Sequence, residues 1–176
     1  MAEGEVTTLI RTERPDDFDA IAVVVEAAFG RPEQVAQLVE KIRASDRYVP
    51  ELALVAVEDG EVVGHTMLSY STLVGDEEHE VLQLSPVAVA PARQRDGIGS
   101  ALIRAGIEGA KARHEPLVFV HGSPLYYPRF GFEPCRRYGI EPPLPEMEPD
   151  FMVLPLPDYD EHFRGRIVFP PAFDDA

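Results

Sequence analysis

Apolar residues along this chain recur with two different periods, and the switches between them outline a mixed α/β domain. Phe18, Ile21, Ala22, Val25, Ala28 and Phe29 fall at helical spacing. Pro15 suits the first turn of that helix, and Asp16 and Asp17 complement its dipole there. Gly30 is placed to end it. A second helix is predicted over 33–44 through Val35, Leu38, Val39 and Ile42, whose side chains either pack in the core or border a cleft, core packing being the simpler assignment.

Strand signals surround and follow these helices. Residues 7–11 and 52–57 read as strands, and Asp59-Gly60 is a hairpin turn leading into a partner strand over 61–71. A polar turn at 75–79 leads to an apolar strand over 80–89. A helix over 97–113 and a strand at 117–121 come next. A right-handed crossover through that helix makes strands 80–89 and 117–121 parallel, within an otherwise antiparallel meander. A short helix over 125–130, a strand from Phe132, a proline-rich loop at Pro142, Pro143 and Pro145, and a strand over 151–155 complete the prediction. Residues 165–169 add an edge or tail pairing, and the terminal residues read as mobile. There is no internal repeat and no linker, so residues 1–176 form one domain.

Composition narrows the function. The hydrophobic fraction of 45% supplies a single core, and no apolar run reaches the ~18 residues of a membrane span. The start, Met1-Ala2-Glu3-Gly4-Glu5, lacks the basic and apolar regions of a signal peptide. Cys135 is the sole cysteine, so there is no intrachain disulfide, no thiolate metal cluster is expected, and a reducing, cytoplasmic setting follows. His65, His79, His114 and His162 show no ligand spacing, so no metal site is expected. A net charge of −15 argues against nucleic-acid binding. The dispersed acidic residues serve solubility, or attract a cationic amine.

Against that acidic background, Arg93, Arg95, Arg104, Lys111 and Arg113 cluster locally around the turn Gln94-Arg95-Asp96-Gly97-Ile98-Gly99. A glycine-rich turn entering a helix aims several backbone N–H groups one way, with the positive end of the helix dipole behind them. Gly97 and Gly99 let the backbone come close to a ligand and tolerate positive φ. The turn is therefore a phosphate cradle. It lacks the lysine of a Walker A loop. It also lacks the third glycine of a Rossmann turn, since position 102 is Leu102.

The pattern Gln94-x-x-Gly97-x-Gly99 after the strand Val87-Ala88-Val89 resembles the acyl-coenzyme A signature of the GNAT N-acetyltransferase superfamily. Further along, Tyr126-Tyr127-Pro128-Arg129-Phe130-Gly131-Phe132 resembles the tyrosine and Gly-Phe pair of the same family, with Tyr127 four residues before Gly131. The resemblance is strongest over 80–134, within a subgroup of small bacterial predicted acetyltransferases, and weakest over an extension at about 140–176.

The resemblance implies a GNAT-like acyl-CoA N-acyltransferase fold and direct, ternary-complex transfer of acetyl from acetyl-CoA to an amine. It implies a cofactor-binding set of Val87, Ala88, Val89, Arg93, Gln94, Arg95, Asp96, Gly97, Ile98, Gly99 and Ser100. The strand Val87-Ala88-Val89 pairs with the pantetheine arm, and a backbone N–H, that of Val87, faces the thioester oxygen. Tyr127 is the candidate general acid, or else a structural aromatic of the cofactor wall; adjacent helical residues point ~100° apart, so one tyrosine faces the thiol and Tyr126 the core or the substrate. Glu80, directly or through water, and His121 are alternative candidate bases, though a strand-end histidine satisfied by backbone is the simpler reading of His121. Ser123 lacks a nucleophile elbow. The expected partner is a small-molecule or protein amine, an aminoglycoside-like acceptor included; neither nucleic acid nor membrane is expected, and the protein is a monomer or homodimer. The competing readings are a non-catalytic acyl-CoA sensor, which has no need of Tyr127, and a nucleotide-binding enzyme.

Overall fold

The computed structural model describes residues 6–30 and 32–174. The acidic start at Met1–Glu5 and the last two residues of the tail lie outside the described residues. Among the described residues nine strands join in one sheet: β1 (Leu9–Thr12), β2 (Ala53–Glu58), β3 (Glu61–Val74), β4 (Glu78–Val89), β5 (Leu117–His121), β6 (Glu133–Pro134), β7 (Ile140–Glu141), β8 (Phe151–Pro155) and β9 (Gly165–Val168). The main path runs β1-β2-β3-β4-β5-β8-β6, with only β4 and β5 parallel along it. Three helices pack on it, α1 (Phe18–Ala28), α2 (Pro32–Arg43) and α3 (Ile98–Ala112). Among the described residues no helix is long and apolar enough to cross a membrane.

Alternation along the strands assigns the two faces. Leu54 and Ala56 of β2 pack with Ile98 and Leu102 of α3, while Val55 turns to α1 and Ala53 to α2. The hairpin after β2 forms as its sequence requires: Asp59 and Gly60 have φ of 49° and 78°, the two positive angles of a type I′ turn.

Four expectations change. Pro15–Asp17 is a 3-10 turn, with α1 beginning at Phe18. The turn before β4 is shorter than 75–79, because Glu78 and His79 already pair with β3. The segment expected to be helical over 125–130 is a 3-10 turn, Tyr127–Phe130, ended by Gly131 at φ 98°. Residues 165–168 are neither an outer edge nor a tail: β9 pairs with β3 at Thr72–Val74 and with β7, taking the flank that β2 leaves vacant after Met67. The C-terminal section thereby covers the far half of the face that carries α1 and α2, where Tyr138, Tyr159, Phe163 and Phe169 pack against Leu73, Phe119 and Phe151.

A buried polar network ties β1 and α2 to β3. The Glu13 side chain is 1% exposed and accepts from Arg43 Nε at 2.8 Å and from Tyr48 Oη at 2.7 Å. Burial alone pushes this carboxyl up, but the hydrogen bonds from Arg43 and Tyr48 outweigh it and hold the group below the usual carboxylate range. Truncating Arg43 leaves that charge buried without its cation. Arg43→Met is expected to cost about 3–5 kcal/mol, read by urea unfolding. His65 lies beside the network, its Nδ1 3.8 Å from Glu13, and burial pushes its imidazole down to about 4. The unfolded chain protonates this group near ~6.5 and the folded one only near 4, so the unfolded state binds more protons between those values. Stability is therefore expected to be full above pH ~6.5 and to fall as pH drops toward 4. Urea unfolding across that range, with His65→Asn flattening the slope, checks it.

Candidate active site

One extra residue in β4 sets the geometry of the site. Opposite β3, Thr66 pairs with Val87 but Leu68 pairs with Leu84, so β4 advances three residues for two on its partner. The bulge lies at Ser85-Pro86, where Thr66 Oγ1 donates to the Pro86 carbonyl at 2.8 Å. It shifts the phase of the strand: Leu82 and Leu84, then Val87 and Val89, share the α3 face, and Ala88 turns to α1. Beyond the bulge β4 and β5 diverge. Their pairing is confined to Leu82–Val118 and Gln83–Phe119, while β5 continues to His121 along β8.

Val87 and Val89 therefore turn backbone groups away from β3, toward the gap. Ala90 N–H donates to Val63 O at 2.8 Å, so Ala88 and Ala90 direct their backbone groups at β3. Alternation turns those of Val87 and Val89 the other way, and Val89 O accordingly accepts Gln94 Nε2 at 3.1 Å.

Two adjoining cavities occupy this opening. The first, about 580 Å³, is lined by Val87, Val89, Arg93, Gln94, Arg95, Gly97, Ile98, Gly99, Ser100, Tyr126 and Arg129, with Ala28 and Phe29 of the α1 end. The second, about 440 Å³, is lined by Val35 and Leu38 of α2, Leu84, Ser85 and Pro86 of β4, and Val120, His121, Gly122, Ser123 and Tyr127. Phe29, Val87 and Tyr126 belong to both. Both volumes are within the ~300–1,000 Å³ usual for small-molecule sites.

The first cavity is built for an anion. Gly97 caps α3 at φ 83° with no side-chain hydrogen bond, leaving the first helical N–H groups without a capping partner. A Cβ on Gly99 would stand 3.8 Å from the Tyr126 hydroxyl and 3.6 Å from Val89, in space the cavity now holds. The three arginines at the rim differ. Arg93 is committed to Glu58 at 2.7 Å and Asp96 at 3.3 Å, and it holds the Glu58 carboxyl below its ordinary range. Arg95, itself at φ 69°, and Arg129 meet no carboxylate among the described residues. These features fit the phosphates and amide-rich arm of coenzyme A.

The expected site residues separate accordingly. Val87, Val89, Arg93, Gln94, Arg95, Gly97, Ile98, Gly99 and Ser100 come together on the first cavity. Ala88 does not, since its side chain is under α1 and its backbone is paired with β3. Asp96 points at Arg93 rather than into the cavity. Tyr127 and His121 share the second cavity. The Tyr127 ring rests on the bare backbone of Gly122, where a Cβ would come within 2.5 Å, and burial pushes its hydroxyl up to about 12. Glu80 is corrected: the gap opens only after Gln83, and Glu80 lies at the closed end, 64% exposed and 3.3 Å from Arg47.

Sequence reasoning missed four contributors. Tyr126 shares a 3.1 Å hydrogen bond with Ser100 Oγ at the mouth of α3. Arg129 stacks 4.3 Å over the Tyr126 ring and donates to its carbonyl at 2.9 Å. Their signal was present in the run Tyr126-Tyr127-Pro128-Arg129. Phe29 and Gly122 carried none, because each acts through its place in the fold.

The acetyltransferase (GNAT) domain family model matches residues 9–135. The chain is 37% identical over 139 residues to the uncharacterized N-acetyltransferase YjhQ of Escherichia coli strain K12, covering 77% of this chain and 76% of the relative. It superposes on the GNAT family N-acetyltransferase YhbS of Escherichia coli in complex with CoA with a TM-score of 0.88 and 26% identity, covering 99% of this chain and 96% of that one. A GNAT family acetyltransferase of Brucella melitensis in complex with acetyl-CoA gives 0.77 and 34%, covering 96% and 99%. Gly99→Glu sets bulk and negative charge at the mouth of α3 beside Tyr126. It is expected to weaken coenzyme A binding by at least about 100-fold in calorimetry, with the circular-dichroism spectrum unchanged.

Proposed function

The chain belongs to the GNAT acetyltransferase family and is an N-acetyltransferase that uses acetyl-CoA, and we propose that it transfers the acetyl group directly to an amine seated in the second cavity. The observation that carries this reading is the adjacency of two unlike cavities. One has an uncapped helix mouth and two carboxylate-free arginines; the other has a tyrosine and a histidine.

Acetyl-CoA, when bound, supplies the acetyl group as a thioester. Its phosphates fit the N–H groups at the start of α3, with Arg95 and Arg129 on the rim. Val87 and Val89 offer the backbone edge that an extended amide arm needs, and the Val87 N–H is the donor suited to a carbonyl oxygen that gains negative charge. Tyr126, held by Ser100 and by Arg129, positions the wall common to both cavities.

Proton traffic falls to the second cavity. His121, exposed at the end of β5, accepts a proton from the incoming amine, directly or through water. Tyr127 keeps its hydroxyl proton at neutral pH, because burial first and the neighbouring Tyr126 second raise its pKa to about 12, and it holds that proton for the leaving thiolate. Cys135, 1% exposed, is not part of this chemistry, and a lone thiol suits the cytoplasm in which we place the enzyme.

Tyr127→Phe separates catalysis from binding. It removes one hydroxyl and leaves the ring on Gly122. Turnover is expected to fall about 10²–10⁴-fold, with the calorimetric Kd for coenzyme A within about twofold of the parent. Unchanged turnover removes Tyr127 from proton transfer.

A further inference from the structure

We propose that the acceptor is a small monoamine carried on an aryl or branched hydrocarbon body, bound in the second cavity; this rests on the acetyltransferase reading above. Phe29, just past α1, with Val35 and Leu38 of α2, Leu84 and Pro86 of β4 and Val120 of β5, gives it an apolar wall. Its polar side chains, on Ser85, His121, Ser123, Tyr126 and Tyr127, gather on the β4–β5 side, where a single amine reacts, and the Tyr126 hydroxyl is already paired with Ser100. Among the described residues lining it there is no Asp, Glu, Lys or Arg.

That wall discriminates by charge. A polyamine or an aminosugar brings further ammonium groups, and each would lose water against Val35 and Leu38 with no carboxylate in return. The net charge of −15 does not help, since none of the Asp or Glu side chains lines either cavity among the described residues. A lone amine fares differently. Attack requires its neutral form, which an apolar surround favours, and His121 receives the proton. Its apolar body gains about 25 cal/mol for each Å² it buries. At about 440 Å³ the cavity suits a one-ring body rather than a multi-ring aminoglycoside.

Calorimetry with coenzyme A comes first, followed by thiol release from acetyl-CoA with 2-phenylethylamine, spermidine and kanamycin. The expected result is tight coenzyme A binding and a kcat/KM for 2-phenylethylamine at least about tenfold above the other two. Ser123→Asp and Val35→Glu each place a carboxylate on the second cavity and not the first. Asp at 123 can still accept the Leu125 N–H that Ser123 Oγ now accepts at 3.2 Å, so the turn is kept. Both variants are expected to move the ratio toward spermidine by about tenfold and to leave the coenzyme A Kd unchanged. If coenzyme A binds and spermidine or kanamycin is preferred, or the monoamine is not acetylated, or neither carboxylate shifts the ratio, the proposal is overturned while the family reading stands. If coenzyme A does not bind, both fall.

Discussion

The site depends on one mismatch in the sheet: a residue too many in β4. At Ser85-Pro86 the strand slips by one against β3, and after that point it has β3 on one side and open space on the other. A regular β4 would keep Leu82, Leu84, Pro86 and Ala88 on one face, and Val87 would turn toward α1 instead of α3. The bulge brings Val87 and Val89 into phase with Leu84 above α3, and frees their backbone groups toward the gap. Because Pro86 has no N–H to donate, placing it at the bulge spares the sheet a broken ladder.

The second requirement is electrostatic. A protein of net charge −15 must hold a polyanion, and it does so by arrangement rather than by total charge. Backbone dipoles at the start of α3 are not cancelled by a capping side chain. Arg93 is already neutralised by Glu58 and Asp96, so its part is to brace the turn against β2. Arg95 and Arg129 line the same cavity and meet no carboxylate among the described residues. Arg129 lies on the short turn after β5, whose rings Tyr126, Tyr127 and Phe130 meet edge-on or tilted.

Much of this was legible in the sequence wherever function is written in contiguous residues. The glycine turn, the crossover helix and the parallel strand pair all follow from local pattern, and the structure has each of them. The phase slip in Leu82, Leu84, Val87, Val89 was also readable as a bulge, though period-two counting passes over it. Glu80 was misplaced for a physical reason: sequence distance along β4 does not reveal where β5 departs from it. Asp96 was assigned to the ligand because it belongs to the turn, but an adjacent guanidinium claims it. Phe29 and Gly122 had no signal, because one matters for where α1 ends and the other for the side chain it lacks.

The C-terminal section, weakest in resemblance and outside the residues matched by the family model, bears on the site through the sheet. β5 pairs with β8 along its whole length, from Leu117–Pro155 to His121–Phe151, but with β4 at only two positions. Phe119 stacks on Phe151 at 5.1 Å and lies 6.3 Å from Phe169. These bonds use one edge of β5 and set its position in the sheet, while its other edge meets β4 only at Val118 and Phe119. β6 adds to β8 at Glu133 and Pro134, directly after Phe132, so the tyrosine turn is anchored to the same block. The extension thus supplies the strand on which β5 and the end of the tyrosine turn are both mounted.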